Sequence, residues 1–526
     1  MRLPTVLFFF FSVCLSRGFI PEKYSGCQEK DFGHGSIVCV CSEQECGEFE
    51  SGGSPLKAGQ FAVYTSTKAG ERFKLSLHLF NASFTRPDDD AVSLDVNSSV
   101  SYQEILGFGG AFTDAATMNI LNQSNSLQQK LIRSYFSPVG IEYSIGRVPM
   151  ASCDFSTHEY SYDDYSGDFE LKNFSLAEED KRFKIPVILS AMKDSNKEIL
   201  LFGSPWSAPG WMKTNGRMSG AGTMLGKAGD KYHKTWAIYF AKFISAYVAS
   251  GVPIWGVTVQ NEPSTGFIPG YSFQTMAYSP QQERDFIKED LGPALSQEGH
   301  GNVQIIMLDD QRLFLDNWVD VILGDPEAAK FVSGIGLHWY WDFLASVKDL
   351  TIAHQKYPNY FMLATEACSG FTTMHPPMGV VLGSWERGEN YTHSIIQDIS
   401  HWVVGWVDWN LALNMSGGPN WVNNNVDSPV IVDTTHHVFY QQPMYFHLGH
   451  FSKFVPRGSK RISLMSSKKT NLQFIGFQAP GPDSTTVVVI MNQSEIDIPL
   501  HINVPGKGSV NTIIPARAVQ TYVWNT

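Results

Sequence analysis

Residues 254–262 (IWGVTVQNE) join a short apolar run to a polar ending. A run of this length, rich in Ile, Val and Trp, is typical of a buried strand. Asn261 and Glu262 then fall at the C-terminal end of that strand. Because a buried carboxylate is costly unless it has a partner or a task, the ending of this stretch indicates a candidate functional position.

Seven further stretches have the same design: residues 105–114 (ILGFGGAFTD), 143–154 (YSIGRVPMASCD), 199–206 (ILLFGSPW), 303–310 (VQIIMLDD), 335–340 (IGLHWY), 360–366 (YFMLATE) and 403–410 (VVGWVDWN). Helical patterns lie between them. The clearest covers residues 230–248, with an apolar face of Trp236, Phe240, Phe243, Ile244 and Tyr247. Another begins near Ser279 and Pro280. Strands that alternate with helices in this way predict the α/β class and a (β/α)8 TIM barrel over residues 103–458.

The two flanks of the predicted barrel have a different pattern. Residues 57–102 and 459–526 lack helical periodicity and carry short β-rich runs such as 485–491 (TTVVVIM), 498–504 (IPLHINV) and 518–524 (AVQTYVW). We therefore predict that both flanks together form one antiparallel, immunoglobulin-like β-sandwich. Residues 18–55 are predicted to form a small β-sheet held by disulfides.

The N-terminus has the features of a secretory signal peptide. Arg2 precedes a short apolar core at residues 6–13 (VLFFFFSV), so residues 1–17 are expected to be removed and the mature protein to be soluble. Seven Asn-x-Ser/Thr motifs agree with a secretory route and are predicted glycosylation sites: Asn81, Asn97, Asn122, Asn173, Asn390, Asn414 and Asn492.

Four cysteines crowd the start of the mature chain: Cys27, Cys39, Cys41 and Cys46. In an oxidising compartment they predict two disulfides, with three possible connectivities. A bond between Cys39 and Cys41 is disfavoured because a one-residue loop fits disulfide geometry poorly. A zinc site is the alternative, although no nearby Cys-x-x-Cys pair supports it.

The composition excludes some classes of partner. A formal net charge of −12 argues against nucleic acid, which requires a basic face. Hydrophobic residues make up 43% and charged residues 17%, as expected for a large packed core.

Two glutamates carry the functional hypothesis. Glu262 ends the fourth run and Glu366 ends the seventh, and the C-terminal ends of barrel strands converge on one mouth. Retaining glycoside hydrolysis needs two carboxyl groups about 5 to 5.5 Å apart, one as acid/base and one as nucleophile. The alternative is that each glutamate pairs with an arginine or caps a helix.

Many stretches resemble glycoside hydrolase family 30, in particular its lysosomal glucosylceramidases. They are GFGGAFTDAA (107–116), RVPMASCDFS (147–156), KTNG (213–216), TWA (235–237), NEPS (261–264), DLGP (290–293), MLDDQR (307–312), DPEAAK (325–330), LGSW (382–385), VVGW (403–406), DWNLALN (408–414), GGPNWV (417–422), VDSP (426–429) and HLGHFSKF (447–454). They occur in order over nearly the whole mature chain.

The resemblance implies a role for each matching residue. Glu262 would be the acid/base, Glu366 the nucleophile, and Asn261 would bind the 2-hydroxyl of the sugar. Arg147 would keep the nucleophile ionised. Asp154, Trp206, Trp409 and Asn424 would bind glucose, and Tyr271, Phe273, Gln311, His338 and Tyr340 would line the cleft. The alternatives are that His338 and Tyr340 are satisfied polar groups of the barrel and that Trp409 is core. No cofactor and no metal is implied.

The resemblance also implies a biological setting. The reaction would be hydrolysis of glucosylceramide to glucose and ceramide through a covalent glucosyl-enzyme, as part of sphingolipid degradation. The implied partners are a saposin-type activator, an anionic lipid surface and a lysosomal sorting receptor. The implied location is the lumenal membrane face of the lysosome, with an acidic working pH. Rival hypotheses are a family relative that acts on β-xylan or β-glucan, and a catalytically silent carbohydrate- or lipid-binding protein.

The sequence departs from the mammalian pattern at a few positions. Gln260 stands where an acidic residue is expected, and Thr275 stands where a cysteine is expected. The segments 158–168 and 369–377 also differ. Because these segments flank the predicted cleft, the preference for the aglycone and the contact with an activator are the least secure implications.

Overall fold

Eight parallel strands form the centre of the protein, in a computed structural model that describes residues 18–81, 90–372, 378–481 and 484–526. They are β1 (Gly107–Ala111), β2 (Ile145–Met150), β3 (Leu200–Pro205), β4 (Gly256–Thr258), β5 (Gln304–Gln311), β6 (Val332–His338), β7 (Phe361–Glu366) and β8 (Val403–Asn410). They pair in sequence order and close into a barrel through the contact of β8 with β1. The predicted barrel is confirmed, and the predicted signal peptide (1–17) lies outside the described residues.

The helices of the described residues pack mainly around this barrel. They are Asp114–Leu121, Asn125–Phe136, Ile185–Asp194, Lys231–Ala249, Pro280–Phe286, Gly292–Gln297, Leu315–Ile322, Pro326–Ala329, Lys348–Lys356, Trp385–Ser400 and Pro443–Ser452. Asp230 caps Lys231–Ala249 by accepting from the backbone of Tyr232. Ser279 begins Pro280–Phe286 with a capping box. Both predicted helices are therefore confirmed, and no described helix is long and apolar enough to cross a bilayer.

Side chains fill the lower interior of the barrel. Ile145, Phe202, Leu363 and Val407, from β2, β3, β7 and β8, form one buried cluster there. An ideal Cβ on Gly109 of β1 would lie only 1.8 Å from the carbonyl oxygen of Ile145. The neighbouring strand β2 therefore approaches β1 too closely for any side chain at Gly109. In barrels of this type the ligand site lies at the C-terminal mouth.

The two flanks of the chain form a nine-stranded sheet, as predicted. In spatial order the strands are Gly508–Ile514, Ile498–Val504, Val92–Glu104, Lys460–Ser466, Gln473–Gln478, Thr485–Asn492, Ala518–Asn525, Gln60–Thr67 and Lys74–Leu79. One detail of the prediction is wrong, because Ile498–Val504 pairs with Val92–Glu104 in parallel. No hairpin connects these two strands, so their relative direction is not fixed by a short turn, and other strands from opposite ends of the chain pair antiparallel.

The cysteine-rich segment has disulfides between Cys27 and Cys39 and between Cys41 and Cys46, in place of the alternative zinc site. Its sheet is larger than expected. The strands Gln28–Asp31 and Ile37–Cys41 join Leu413–Asn414, Val430–Asp433 and Val438–Gln441, which follow the barrel in sequence. A separate two-stranded ladder pairs Lys23–Tyr24 with Phe49–Glu50.

The asparagines of the predicted glycosylation sites differ in their exposure to solvent. Asn81, Asn97, Asn122, Asn173, Asn390 and Asn414 are all at least partly exposed and remain predictions. Asn492 is 1% exposed, and its Nδ2 donates to the carbonyl oxygens of Ile496 and Pro515, at 2.9 Å each. Because a glycan would be attached to that nitrogen, the fold contradicts Asn492 as a glycan carrier.

We expect Gly109→Ala to prevent closure of the barrel, because the added methyl group would overlap the backbone of β2. The expected loss of unfolding free energy is about 3 kcal/mol or more, measured by urea denaturation of the purified variant. Gly301→Ala is the matched control, since the nearest atom to its Cβ would lie at an ordinary 3.6 Å. Equal stability of the two variants would contradict this account of barrel closure.

Candidate active site

Two glutamates face each other at the C-terminal mouth of the barrel. Glu366 ends β7, and Glu262 lies in the turn after β4. Glu262 has a positive φ of 41°, which is rare for a residue with a side chain and is found where the surrounding structure fixes a functional geometry. One ligand-type atom from each of Glu262, Glu366 and His338 lies within 4.8 Å of the others.

Arg147 of β2 is the cation of the site, and its side chain is fully buried. Its guanidinium donates to Glu366 Oε2, to Asn261 Oδ1 at 2.8 Å and to Asp309 Oδ2 at 2.8 Å. Its Nε donates to Ser204 Oγ at 3.1 Å. The donor fork of this β2 arginine therefore connects side chains from β3, β5, β7 and the turn after β4.

Asp309 is a site residue that the sequence analysis did not identify. Burial alone would raise the pKa of its carboxyl, but Arg147 together with hydrogen bonds from His338 and Thr365 holds that pKa well below the usual range. The signal was present in the quoted MLDDQR stretch, from which only Gln311 was selected. Asp309 stays ionised and keeps Arg147 and His338 charged at the base of the site.

Gln311 and His338 hold the same oxygen of Glu262. Gln311 Nε2 donates to Glu262 Oε1 at 2.8 Å, and His338 Nδ1 lies 3.0 Å from that oxygen. The other ring nitrogen of His338 lies 3.0 Å from Asp309 Oδ1. Burial lowers the pKa of His338, but the surrounding carboxylates raise it to about 10 overall. The imidazolium therefore donates from both nitrogens, and Glu262 Oε2 is not part of these contacts.

Tyr340 follows β6 and contacts the other glutamate. Its hydroxyl donates to Glu366 Oε1 at 2.6 Å, and Cys368 Sγ lies 3.4 Å from the same hydroxyl. Both oxygens of Glu366 are thus held by donors, Oε1 by Tyr340 and Oε2 by Arg147. His338 and Tyr340 are not merely satisfied polar groups of the barrel, because each contacts one of the two glutamates.

Asp154 lies on the opposite wall with two amide partners. Its Oδ2 accepts from Asn424 Nδ2 at 3.0 Å and from Asn420 Nδ2 at 3.1 Å. Burial raises the pKa of Asp154 to about 7, and the hydrogen bond from Asn424 opposes that shift. Asn420 is a second residue that the sequence analysis missed. It lies in the quoted GGPNWV stretch, but its spacing from the barrel strands does not indicate that its side chain would contact Asp154.

Trp206 and Trp409 form the aromatic floor of the cavity. Their rings stack with centroids 5.1 Å apart. The Arg147 guanidinium carbon lies 4.9 Å from the Trp206 ring centroid and 5.4 Å from that of Trp409. The cation–π contact orients both indoles, and Trp409 lines the cavity as well as the core.

The cavity has a volume of about 250 Å³, on the scale of one sugar ring. Its lining contains ten of the predicted site residues: Asp154, Trp206, Asn261, Glu262, Tyr271, Phe273, Tyr340, Glu366, Trp409 and Asn424. Phe155, Cys368, Phe371 and Val426 complete it. The remaining predicted residues, Arg147, Gln311 and His338, lie behind this lining and hold the two glutamates.

The outer wall of the cavity is aromatic. Tyr271 and Phe273 pack with ring centroids 4.5 Å apart, and Tyr340 and Phe371 pack at 4.7 Å. Phe371, which the sequence analysis did not select, belongs to a segment that departs from the mammalian pattern. Residues 373–377 of that segment lie outside the described residues.

Glu262, His338 and Glu366 are also a combination that could hold a metal ion within the described part of the chain. Their atoms already have partners in Gln311, Asp309, Tyr340 and Arg147. The arginine beside Glu366 opposes a second cation, so this constellation is better suited to proton transfer and nucleophilic attack.

Two parts of the chain match described protein domains. Residues 105–455 match the glycosyl hydrolase family 30 TIM-barrel domain. Residues 458–522 match the glycosyl hydrolase family 30 beta sandwich domain. The first match contains both glutamates and Arg147.

Full-length relatives agree with these domains. The lysosomal acid glucosylceramidase of Mus musculus is 49% identical and covers 95% of each chain. Putative glucosylceramidase 4 of Caenorhabditis elegans is 45% identical over 89% of this chain and 88% of that relative. The crystal structure of SrfJ from Salmonella typhimurium has a TM-score of 0.80 at 26% identity and covers 89% of this chain and 100% of that chain. From its two matched domains and these relatives, the chain belongs to glycosyl hydrolase family 30.

Proposed function

We propose that the protein is a retaining β-glucosidase that hydrolyses glucosylceramide to glucose and ceramide. The observation that carries this proposal is the approach of Glu262 and Glu366, whose carboxylate oxygens come within 4.8 Å of each other. Retaining glycosidases hold their carboxyl groups about 5 to 5.5 Å apart, whereas inverting enzymes need about 6.5 to 9.5 Å to admit a water molecule.

In the first step Glu366 attacks the anomeric carbon and forms a glucosyl ester. The glycosidic C–O bond breaks, and its oxygen takes the proton of Glu262 and leaves as the alcohol of the aglycone. Because Gln311 and His338 both occupy Oε1 of Glu262, the proton to be transferred belongs on Oε2. Arg147 and Tyr340 each donate to one oxygen of Glu366 and so hold its carboxylate in position for the attack.

In the second step Glu262 acts as a base. It removes a proton from water, whose oxygen attacks the anomeric carbon, and the ester bond to Glu366 breaks to release glucose. Asn261 Oδ1 accepts from Arg147, which leaves the Asn261 Nδ2 group as a donor for the 2-hydroxyl of the sugar. This contact would strengthen in the transition state and so favour catalysis over simple binding.

The inner end of the cavity suits a single glucose residue. Asp154 and Asn424 supply hydrogen-bonding groups, and the stacked Trp206 and Trp409 supply an apolar face. The volume of the cavity, about 250 Å³, is on the scale of a single sugar ring and supports this assignment. The site is therefore suited to removal of a terminal glucose.

The mouth of the cavity suits an apolar aglycone. Exposed apolar side chains follow three neighbouring strands: Phe267 and Ile268 after β4, Leu313 after β5, and Phe343 and Leu344 after β6. Monomeric proteins rarely expose such a cluster without a partner. This rim is consistent with ceramide presented at a lipid surface, and the name of the mouse relative supports the same substrate. We extend the proposal to a saposin-type activator and a peripheral position on anionic lipid.

The raised pKa values of buried acidic side chains support an acidic working compartment. We therefore assign the protein to the lysosome and propose that a sorting receptor delivers it there. Burial raises the pKa of Asp154 to about 7 and that of Glu283 to about 8. These groups are neutral near pH 5 and would have to be ionised inside the fold at higher pH, which is unfavourable.

We expect Glu366→Gln to abolish release of glucose from both glucosylceramide and an aryl β-glucoside, with kcat reduced about 10⁴-fold or more. The amide cannot attack the anomeric carbon. Thermal unfolding should confirm that the variant folds. If wild-type protein with saposin and anionic vesicles cleaves β-1,6-glucan or β-xylan instead of glucosylceramide, the substrate assignment is wrong. If it cleaves nothing, the hypothesis of a silent binding protein is favoured.

Glu262→Gln should make turnover depend strongly on the leaving group. For an alkyl β-glucoside, kcat/KM should fall by about 10² to 10⁴ because the leaving oxygen needs the proton. For 2,4-dinitrophenyl β-glucoside, which leaves without protonation, kcat/KM should stay near that of the wild type, and added azide should yield β-glucosyl azide. An equal loss on both substrates would exclude Glu262 as the acid.

The midpoint temperature of unfolding, Tm, should be several degrees higher at pH 5 than at pH 7.5. Between the unfolded carboxyl pKa of about 4 and the raised folded pKa values, the folded chain keeps protons that the unfolded chain releases. The unfolding free energy therefore falls as the pH rises through this window. Calorimetry should also give a smaller pH dependence for Asp154→Asn. A Tm that rises with pH would contradict this sign.

A further inference from the structure

The polar groups around Glu262 depend on an irregularity in β5. The register between β5 and β6 shifts between Leu308 and Asp310, and both Leu308 and Asp309 have positive φ, at 70° and 52°. Such a bulge redirects side chains, and bulges are common beside active sites. Asp309 accepts the backbone N–H of Glu262 on its carbonyl oxygen at 2.9 Å, and Asp310 Oδ2 accepts that of Ser264 at 2.9 Å.

Glu283 contacts this bulge from outside the barrel. It lies on the helix Pro280–Phe286 and is fully buried. Its Oε1 accepts the backbone N–H of Leu308, the first residue of the bulge, at 2.9 Å. Its Oε2 has no hydrogen-bond partner among the residues that the structure describes.

Burial of a carboxyl group at this position is energetically unfavourable. Burial, with the nearby charges of Asp309 and Asp310, raises the pKa of Glu283 to about 8. An apolar side chain would avoid this cost, but it could not accept the Leu308 N–H, and a buried donor without a partner is destabilising. The contact of Glu283 with the bulge is thus the feature that distinguishes it from a core residue.

We propose that Glu283 is a positioning residue for the catalytic acid/base, because it fixes the β5 bulge from which the turn of Glu262 is held. The inference rests on the proposed role of Glu262. The chain of contacts runs from Glu283 to Leu308, through Asp309 and Asp310, to the backbone of Glu262 and Ser264. Gln311, which donates to Glu262 Oε1, directly follows the bulge.

Asp290 offers a matched control. It lies seven residues further along the same helical segment and is 3% exposed. It accepts one backbone N–H, that of Gly229 at 2.8 Å, and its Oδ1 has no partner within the described ranges. The Gly229 amide lies in the turn before the helix Lys231–Ala249, whereas Glu283 holds the bulge of β5. Loss of either carboxyl should destabilise the fold to a similar extent, but only Glu283 should affect catalysis.

The test compares Glu283→Met, Glu283→Gln and Asp290→Leu with the wild type. Each is assayed for Tm and for kcat/KM on an alkyl β-glucoside and on 2,4-dinitrophenyl β-glucoside. Glu283→Met should lose about 10- to 100-fold on the alkyl glucoside, because small displacements of a catalytic group are costly. The loss on the dinitrophenyl glucoside should be smaller. Glu283→Gln, whose amide oxygen can accept the Leu308 N–H, should restore most of the rate.

Asp290→Leu should lower Tm as Glu283→Met does. The ratio of kcat/KM for the alkyl glucoside to kcat/KM for the dinitrophenyl glucoside should stay at the wild-type value in Asp290→Leu. An unchanged ratio in Glu283→Met, or an equal change in Asp290→Leu, would overturn the proposal. If Glu283→Met does not fold, Glu283→Asp withdraws the acceptor by one methylene. It should then lower kcat/KM for the alkyl glucoside more than kcat/KM for the dinitrophenyl glucoside. Wild-type activity is measured first, so failure of the proposed function is distinguished from failure of this inference.

Discussion

The site depends on one buried positive charge. The guanidinium of Arg147 is surrounded by the carboxylates of Glu366 and Asp309 and by the amide of Asn261. Without it, the carboxylates of Glu366 and Asp309 would lie buried near each other with only the His338 imidazolium to offset their charge, which is energetically costly. Lysine could not replace it, because a single ammonium group lacks the planar fork that serves several strands at once.

The barrel could be predicted from the sequence because each of its strands is indicated by a short local pattern. Each strand is a short apolar run, and the position of a polar residue directly after the run predicts its place at the mouth. Glu262 and Glu366 follow this rule, whereas Arg147 and Trp409 lie within their strands and were identified from the resemblance to the family. The flanking sheet was predicted in outline, but not the parallel pairing of Ile498–Val504 with Val92–Glu104, since no local feature specifies which distant strands become neighbours.

Asp309, Asn420 and Glu283 escaped prediction for physical reasons. In a regular strand only one of two successive aspartates faces inward. Nothing in the amino-acid sequence indicates that Leu308 and Asp309 have positive φ. Asn420 lies in a loop whose course is set by the sheet that includes Ile37–Cys41 and Val430–Asp433. The disulfides of the N-terminal segment thereby support the wall that carries Asn424, a connection that exists only in three dimensions.

The nine-stranded sheet has a consequence for biosynthesis. Gln60–Thr67 and Val92–Glu104 leave the ribosome early, but their neighbours Ala518–Asn525 and Lys460–Ser466 are translated last. The early strands therefore have edges without these partners until the whole barrel, which lies between them in sequence, has been synthesised. Translocation into a chaperone-rich lumen would shield those edges during the delay. A chain truncated before Ala518 would leave one edge of Gln60–Thr67 permanently without its partner strand, even though the whole barrel had already been made.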